Sequence, residues 1–207
     1  MPLGRGHYPA FNSLQTFLGQ PGNTNLANGP ARTNLEFPVY SGALADTAAS
    51  LTSGVLTAVP VPVDIGQLIT KVSVLVGATA ASTPTHSFAA LYSGTTVTSP
   101  PLIGQSTDGT TTAIAASGRF DFTLTAPQLI TPTNAPHGFI YVGVSVTATT
   151  VPSLITTPCG AAAGQYRWFT DCPLYFSQTA GSALGATAAT TLINASTLTT
   201  APVVFLT

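Results

Sequence analysis

The chain has 207 residues, of which 44% are hydrophobic and only 5% are charged, and its formal net charge at neutral pH is −1. Typical globular chains carry about 25% charged residues, whereas disordered chains combine high net charge with low hydropathy. The mean hydropathy of +0.39 therefore excludes a disordered chain and predicts one ordinary domain with a real core. Because nearly neutral proteins tend to self-associate, the composition favours a component of an assembly.

Three further classes of protein are disfavoured by local features. The most apolar region, residues 55–81, is interrupted by prolines and charges, so it cannot supply the roughly 20 clean residues of a membrane-spanning helix. The N-terminal "MPLGRGHYPA" has no apolar run after its arginine, so no secretory leader and no membrane insertion are expected. Nucleic-acid binding is not expected either, because the arginines form no basic stripe: Arg5, Arg32, Arg119 and Arg167.

Residues 1–45 are predicted to form an extended N-terminal arm. The stretch "GQPGNTNLANGPARTN" consists almost entirely of turn-forming residues. Just before it, "FNSLQTFLG" predicts one short helix that ends at Gly19 and packs through an apolar face of Leu14, Phe17 and Leu18. The arm is either a frayed terminus or a segment that docks on a neighbouring subunit. Its aromatic content favours docking, and the candidate docking residues are Tyr8, Phe11, Leu14, Phe17 and Phe37.

From residue 46 to residue 207 the pattern predicts β-strands. In "RFDFTLTA" every second residue from Phe120 to Ala126 is apolar and those between are polar, which predicts one buried and one wet face. "KVSVLVG" likewise sets Val72, Val74 and Val76 on one face. "YRWF", "LYFS" and "VVFL" are further short candidates, and the connecting segments are rich in Gly, Pro, Thr and Ser.

The segment "HSFAALYSG" is apolar on both faces, because Phe88, Ala90 and Tyr92 face one side and Ala89 and Leu91 face the other. This pattern is expected of a central strand that is packed on two sides. In "GFIYVGVSVTATT", every second residue from Ile140 to Val146 lies on one face, opposite Phe139, Tyr141 and Gly143. The resulting prediction is an all-β fold, an antiparallel β-sandwich of jelly-roll-like type over residues 46–207, preceded by the arm.

The chain has two cysteines, Cys159 and Cys172. A disulfide between them would stabilise the fold by about 3 kcal/mol in the chain-entropy model, and two separate buried thiols are the alternative. Zinc is not expected, since two cysteines without a nearby histidine make an incomplete site. The aromatic cluster "QYRWFTDCPLYF" lies between and beside them; it is interpreted as core, or else as a surface patch that binds carbohydrate or protein through Tyr166 and Trp168.

Catalytic motifs are absent from the sequence. The acidic residues are widely spaced, the histidines are not at ligand spacing, and there is no G-x-S-x-G, P-loop or H-E-x-x-H motif. Asp108-Gly109 in "STDGTTT" predicts a hairpin turn, and Asp121 is expected to be solvated or to pair with Arg119 across a turn. The sequence therefore predicts no enzyme, with no catalytic residue, no cofactor and no metal.

Five segments in order carry a family resemblance: "KVSVLVGATA", "HSFAALYSG", "PLIGQSTDG", "GRFDFTLTAPQLI" and "GFIYVGVSVTATTVPSL". Over residues 64–155 they resemble the β-sandwich domain of minor tail and related virion proteins from phages of actinobacteria. The insertion "TTVTSPP" departs from that pattern. The resemblance implies a non-enzymatic building block, often oligomeric around a symmetry axis, and it supplies no functional residues.

The expected function is therefore that of a bacteriophage virion structural protein, located in the virion as a minor tail or tail-tip component. Its expected partners are other virion proteins and further copies of itself as a homo-oligomer. A capsid decoration or head-fibre protein of the same virion is the first alternative. The second alternative, from a different class, is a carbohydrate-binding module that recognises a host-surface glycan.

Overall fold

The computed structural model describes residues 32–33, 44–47, 51–95, 100–158, 176–179 and 200–207. These residues contain strands and no helix, and all of their strand pairs are antiparallel. The strands are β1 (Arg32–Thr33), β2 (Ala45–Thr47), β3 (Val55–Pro62), β4 (Leu68–Val76), β5 (Ser82–Tyr92), β6 (Leu102–Gln105), β7 (Gly118–Leu129), β8 (Phe139–Thr150), β9 (Leu154–Pro158), β10 (Phe176–Thr179), β11 (Thr200–Pro202) and β12 (Val204–Leu206).

The strands form two sheets that pack on each other, so the predicted β-sandwich is confirmed. The first sheet has the order β1-β12-β4-β9-β11, with β2 beside β9 and β7 beside β4. The second sheet has the order β10-β3-β8-β5-β6. Their apolar residues form one continuous core. Arg32 and Thr33, which lie in the range expected to be an arm, pair with β12 in the first sheet.

The first sheet is centred on β4. Its residues Val72 and Val74 pair with β7 on one side and with β12 on the other. Val72, Val74 and Val76 are all buried, as the sequence predicts for one face of this strand. On β7 the predicted alternation is also present, because Phe122 and Leu124 are buried while Asp121, Thr123 and Thr125 are exposed.

Ala126 was expected on the buried face of β7, and this prediction was wrong, because Ala126 is exposed. Lys71 of β4 pairs with Thr123 of β7, and Ile69 of β4 pairs with Gln128 of β7. Between these two pairs β4 covers two residue positions, whereas β7 covers five. The additional residues of β7 therefore bulge away from β4, and the strict alternation of faces ends there.

The second sheet is buried on both faces at its centre. β8 lies between β3 and β5, and residues 139–146 of β8 are all buried. Residues 87–92 of β5 and residues 56–61 of β3 are buried as well. The segment "FAALY" is therefore a central strand packed on two sides, as predicted.

One edge of the sandwich is closed by the chain that follows β6. The Ser106 amide donates to the Ala89 carbonyl of β5 at 2.8 Å, and Ser106 also forms a bridge with Leu124 of β7. The Thr125 hydroxyl donates to the Gln105 carbonyl at 2.9 Å. The bulged part of β7 thus joins the first sheet to the second.

The opposite edge of the second sheet carries two prolines. The Val63 amide donates to Gly138 on the β8 side at 2.9 Å, and amide directions alternate along a strand. The nitrogens of Pro60 and Pro62 therefore point away from β8, toward the side on which, among the described residues, β10 pairs with Val55 to Ala58. Proline is tolerated at this position because it cannot donate to a ladder and is confined to edges.

Candidate functional site

The candidate docking residues of the arm, the two cysteines and the candidate surface aromatics all lie outside the described residues: Tyr8, Phe11, Leu14, Phe17, Phe37, Cys159, Cys172, Tyr166 and Trp168. The helix expected in "FNSLQTFLG" also falls there. Two other features stand out in the described part of the chain, one at each end of the sandwich.

The first feature is an apolar surface at the end where β3 turns into β4. Ile65 in that turn is 50% exposed, Leu68 at the start of β4 is 38% exposed, and Leu129 at the end of β7 is 50% exposed. Leu68 and Leu129 are direct partners in the β4–β7 ladder, so their side chains lie next to each other. We call Ile65, Leu68 and Leu129 the apolar end surface.

The apolar end surface rests on a hydrogen-bonded base. The Gly66 amide donates to the Ile130 carbonyl at 2.8 Å, and the Ile130 amide donates to the Gln67 carbonyl at 2.8 Å. Directly beneath, Ile69 and Ile130 are buried in the core. The exposed side chains are therefore carried by backbone that is fixed on both sides.

An ion pair borders this surface. The Arg32 guanidinium on β1 donates to the Asp64 carboxylate, which directly precedes Ile65. The Arg32 side chain is 16% exposed and that of Asp64 is 59% exposed. The charges of these two side chains are therefore paired with each other.

The second feature lies at the opposite end and centres on Asp108. Its carboxylate accepts hydrogen bonds from the Ser87 amide at 2.9 Å and from the Thr110 hydroxyl at 2.7 Å. The His86 Nδ1 atom lies 2.6 Å from Asp108 Oδ2, and since an ionised carboxylate only accepts, Nδ1 is the donor. Burial raises the pKa of Asp108, but these hydrogen bonds and the charge of His86 outweigh burial, so the net pKa is lowered.

Asp108 and its partners attach a loop to a strand, a role that the sequence did not predict. Asp108-Gly109 was expected to form a hairpin turn, but it lies within the connection of residues 106–117 between β6 and β7. The Gly109 amide donates to the Ser87 carbonyl at 2.7 Å, and the Ser87 hydroxyl donates to the Gly109 carbonyl at 3.3 Å. The cluster therefore fastens this connection to β5.

The described residues contain few arrangements of side chains that could catalyse a reaction or bind a metal ion. A histidine beside a carboxylate occurs in catalytic triads, but the neighbouring Ser87 hydroxyl is directed at the Gly109 carbonyl. Within the described ranges there is no group of three or more His, Cys, Asp and Glu side chains that could hold a metal ion. The arrangement accordingly fits a positioning role for His86 and Asp108.

Asp121 and Arg119 form an ion pair on the outer face of the first sheet. Arg119 Nε lies 2.6 Å from Asp121 Oδ1, and both residues belong to β7 two positions apart. The expected pairing is present, but it runs along one strand and not across a turn, because side chains at i and i+2 share a face. Burial raises the pKa of Asp121, but hydrogen bonds from Arg119 and Ser73 together with the charges of Arg119 and Lys71 outweigh burial, so the net pKa is lowered.

Comparisons of this chain with protein-family models, with curated proteins and with solved structures found no match. In the ranges that the structure describes, no helix has the length and apolarity needed to cross a membrane.

The sequence held a weak signal for the apolar end surface. Ile65 lies between Asp64 and Gly66 in "VDIGQL", so a large aliphatic residue occupies a turn that is otherwise polar. Nothing local marks Leu129 as its neighbour, since that proximity depends on the β4–β7 register.

Proposed function

We propose that this protein is a structural component of a bacteriophage virion, located at the minor tail or tail tip. The observation that carries the proposal is the apolar end surface, which is exposed, rigidly supported and bordered by a neutral ion pair. Such a surface suits lasting contact with another protein, because apolar area is buried there without leaving charges unpaired.

The charge pattern supports the same proposal. Each of the three aspartates whose side chains are described is paired with a basic residue: Asp64 with Arg32, Asp108 with His86 and Asp121 with Arg119. Electrostatic complementarity mainly accelerates encounter and selects partners in solution. A chain with so little free charge fits a subunit that is assembled once and held by apolar and hydrogen-bonded contacts.

The test is immunogold electron microscopy of intact particles produced from a phage genome that encodes this chain, with an antibody raised against the whole protein. Label at the tail end supports the proposal. Label over the head would instead support the alternative that the protein is a capsid decoration protein or a head fibre. Absence of the protein from purified particles, checked by mass spectrometry so that a hidden epitope is not mistaken for absence, overturns a virion role.

A further inference from the structure

The dipeptide Asp108-Gly109 is chemically labile in an unfolded chain, and it is the one place in the sequence where an aspartate precedes a glycine. The glycine amide nitrogen can attack the aspartate side-chain carboxyl carbon, because glycine has no Cβ that obstructs the approach. The amide proton and the hydroxyl of the protonated carboxyl group leave together as water, and a cyclic succinimide forms. Water then opens the ring at one of its two carbonyls, which yields aspartate or isoaspartate.

The packing of the β6–β7 connection on β5 requires both residues of this dipeptide. Asp108 Oδ1 accepts the hydrogen bond from the Ser87 amide at 2.9 Å. A Cβ at Gly109 would collide with the Ser87 hydroxyl oxygen, so the close approach of the two segments depends on a glycine. The fold therefore places a labile dipeptide at a contact that it needs.

We propose that Asp108-Gly109 is a latent isoaspartate site, which its contacts with His86, Ser87 and Thr110 keep unreactive in the folded protein. The inference does not rest on the virion role, and it can be tested on the isolated chain. It identifies a second use of the contacts around Asp108, because the groups that fasten the connection also protect its backbone.

The attacking nitrogen is held away from its target. The Gly109 amide donates to the Ser87 carbonyl of β5 at 2.7 Å. To attack the carboxyl carbon of Asp108, the nitrogen must give up this hydrogen bond and then lose its proton. The backbone of β5 therefore restrains the nucleophile of the reaction.

The carboxyl group under attack is anchored through both oxygens. Oδ1 of Asp108 accepts from the Ser87 amide, while Oδ2 lies 2.6 Å from His86 Nδ1 and 2.7 Å from the Thr110 hydroxyl. The carboxyl carbon can turn toward the Gly109 nitrogen only when these contacts break. Since hydrogen bonds to a charged group are stronger than those between neutral groups, this opening is rare.

The leaving group is also disfavoured. Water departs readily only from a protonated carboxyl group. Burial raises the pKa of Asp108, but the hydrogen bonds from His86, Thr110 and the Ser87 amide, with the charge of His86, outweigh burial and keep the carboxylate ionised. The same contacts thus restrain the geometry of the reaction and the departure of water.

His86 is the residue to remove in a test of this protection. Its side chain is 35% exposed, so its replacement does not empty the core. Ser87 instead holds the dipeptide through its backbone amide and carbonyl, which no substitution of its side chain removes. Loss of the His86 contact frees Oδ2 of Asp108 in part and leaves the strand intact.

The experiment measures isoaspartate at position 108 while the whole folded chain is incubated at mildly acidic pH, below its unfolding temperature. The protein is then denatured and digested with the endoprotease Asp-N, which cleaves before aspartate but not before isoaspartate, and mass spectrometry gives the uncleaved fraction. The chain unfolded in guanidinium gives the unprotected rate. The folded wild type should react at least about a hundredfold more slowly, as expected when two hydrogen bonds to a charged group must break.

Three variants test the part played by His86. His86→Ala should raise the rate in the folded protein about tenfold, the effect of one lost hydrogen bond to a charged group. His86→Asn, which keeps a nitrogen donor, should react more slowly than His86→Ala. His137→Ala is the matched control, since it removes an exposed histidine from the segment before β8, and it should react like the wild type.

Leu56→Ala separates local opening of the connection from unfolding of the whole protein. Leu56 lies in β3, which is separated from β5 by β8, and its truncation lowers the stability of the fold. If the reaction proceeds through local opening, this variant should keep the wild-type rate. Urea denaturation of each variant verifies its stability.

Three results would overturn the proposal: equal rates in the folded and the unfolded wild type, a His86→Ala rate equal to that of the wild type, or the same acceleration in Leu56→Ala as in His86→Ala. If His86→Ala fails to fold, Thr110→Ala removes another hydrogen bond to Oδ2 of Asp108 from an exposed loop residue. Acceleration in that variant supports the protection, and an unchanged rate rejects it.

Discussion

The two sheets differ in how many of their faces are buried. At the centre of the second sheet, residues of β3, β5 and β8 are buried on both faces. In the first sheet β7 buries Phe122 and Leu124, while Asp121, Thr123 and Thr125, which alternate with them, are exposed. The difference indicates that stability is concentrated in the second sheet, while the first sheet tolerates change on one face. Substitutions in the second sheet should therefore reduce stability more than substitutions on the exposed face of the first.

Leu56→Ala in β3 should have the largest effect. Leu56 is fully buried and its side chain lies over Gly143 of β8. Its truncation leaves a cavity, and we expect a loss of about 2–5 kcal/mol in the free energy of unfolding. Urea denaturation measures this, with Thr123→Ala on the exposed face of β7 as the control that should change stability by less than about 0.5 kcal/mol. Equal losses in the two variants would contradict the contrast between the sheets.

Gly143→Val tests the same contact from the other side. A Cβ at Gly143 would lie 2.9 Å from Leu56 Cδ1, so the larger residue forces the core apart and should cost about 1–3 kcal/mol of unfolding free energy. Gly118→Ala in β7 is the control, because its Cβ meets only the Ala116 carbonyl oxygen at 3.9 Å. Combined with Leu56→Ala, the valine should fill part of the cavity, and the double variant should be more stable than the sum of the single losses predicts.

Asp108→Asn tests the connection that closes the edge between the sheets. Loss of the charged acceptor for His86, Thr110 and the Ser87 amide should cost about 1.5–3 kcal/mol at neutral pH. Asp121→Asn is the control, since its ion pair with Arg119 is exposed and should contribute at most about 1 kcal/mol.

The pH dependence gives a second measurement on the same residue. Because the folded-state pKa of Asp108 is lowered, its contribution is fully present above the unfolded-state value of about 3.9 and is lost as pH falls through the folded-state pKa. Urea midpoints measured from pH 7 to pH 2 should therefore converge for wild type and Asp108→Asn. A gap that stays constant at the acid end would disagree with an ionised, hydrogen-bonded Asp108.

Pro60→Val should have the smallest effect on stability and a visible effect on solubility. The substitution restores an amide on the side of β3 that points away from β8, where no described residue pairs with residue 60, and an unpaired donor there can recruit another strand. Removal of the proline also frees the unfolded chain, with an expected loss of about 0.4–1 kcal/mol. Light scattering during slow heating measures aggregation, and Pro132→Ser in an exposed loop serves as the control for the loss of a proline alone. If the two variants scatter light equally during heating, the hypothesis that Pro60 protects β3 from pairing with another strand is rejected.

Fold class could be read from the sequence, and individual sites could not. The two-sided apolar strand at residues 88–92 and the one-sided strand around Phe122 follow from side-chain alternation, which is a local property of the chain. Ala126 was misplaced because a bulge depends on how β7 meets β4 and β6, which no local pattern specifies.

The candidate site escaped prediction for the same reason. The neighbouring residues of Asp108 predict only a turn, whereas its hydrogen-bond partner His86 lies 22 positions away in the sequence. Arg32 reads as part of an arm, yet its carboxylate partner Asp64 lies 32 positions away. Such pairs form only when the strands that carry them are brought together, so a single sequence gives them no signature.

Composition and side-chain alternation are enough to predict a nearly uncharged chain with an all-β fold, and to predict which strands are buried on one or both faces. These properties are local, because each strand carries its own period of two. Three contacts follow from the three-dimensional structure and not from any local pattern: Leu68 pairs with Leu129, Asp108 connects the segment between β6 and β7 to β5, and the Pro60 nitrogen points away from β8. These depend on strand register and order, which are set by the packing of distant segments against one core.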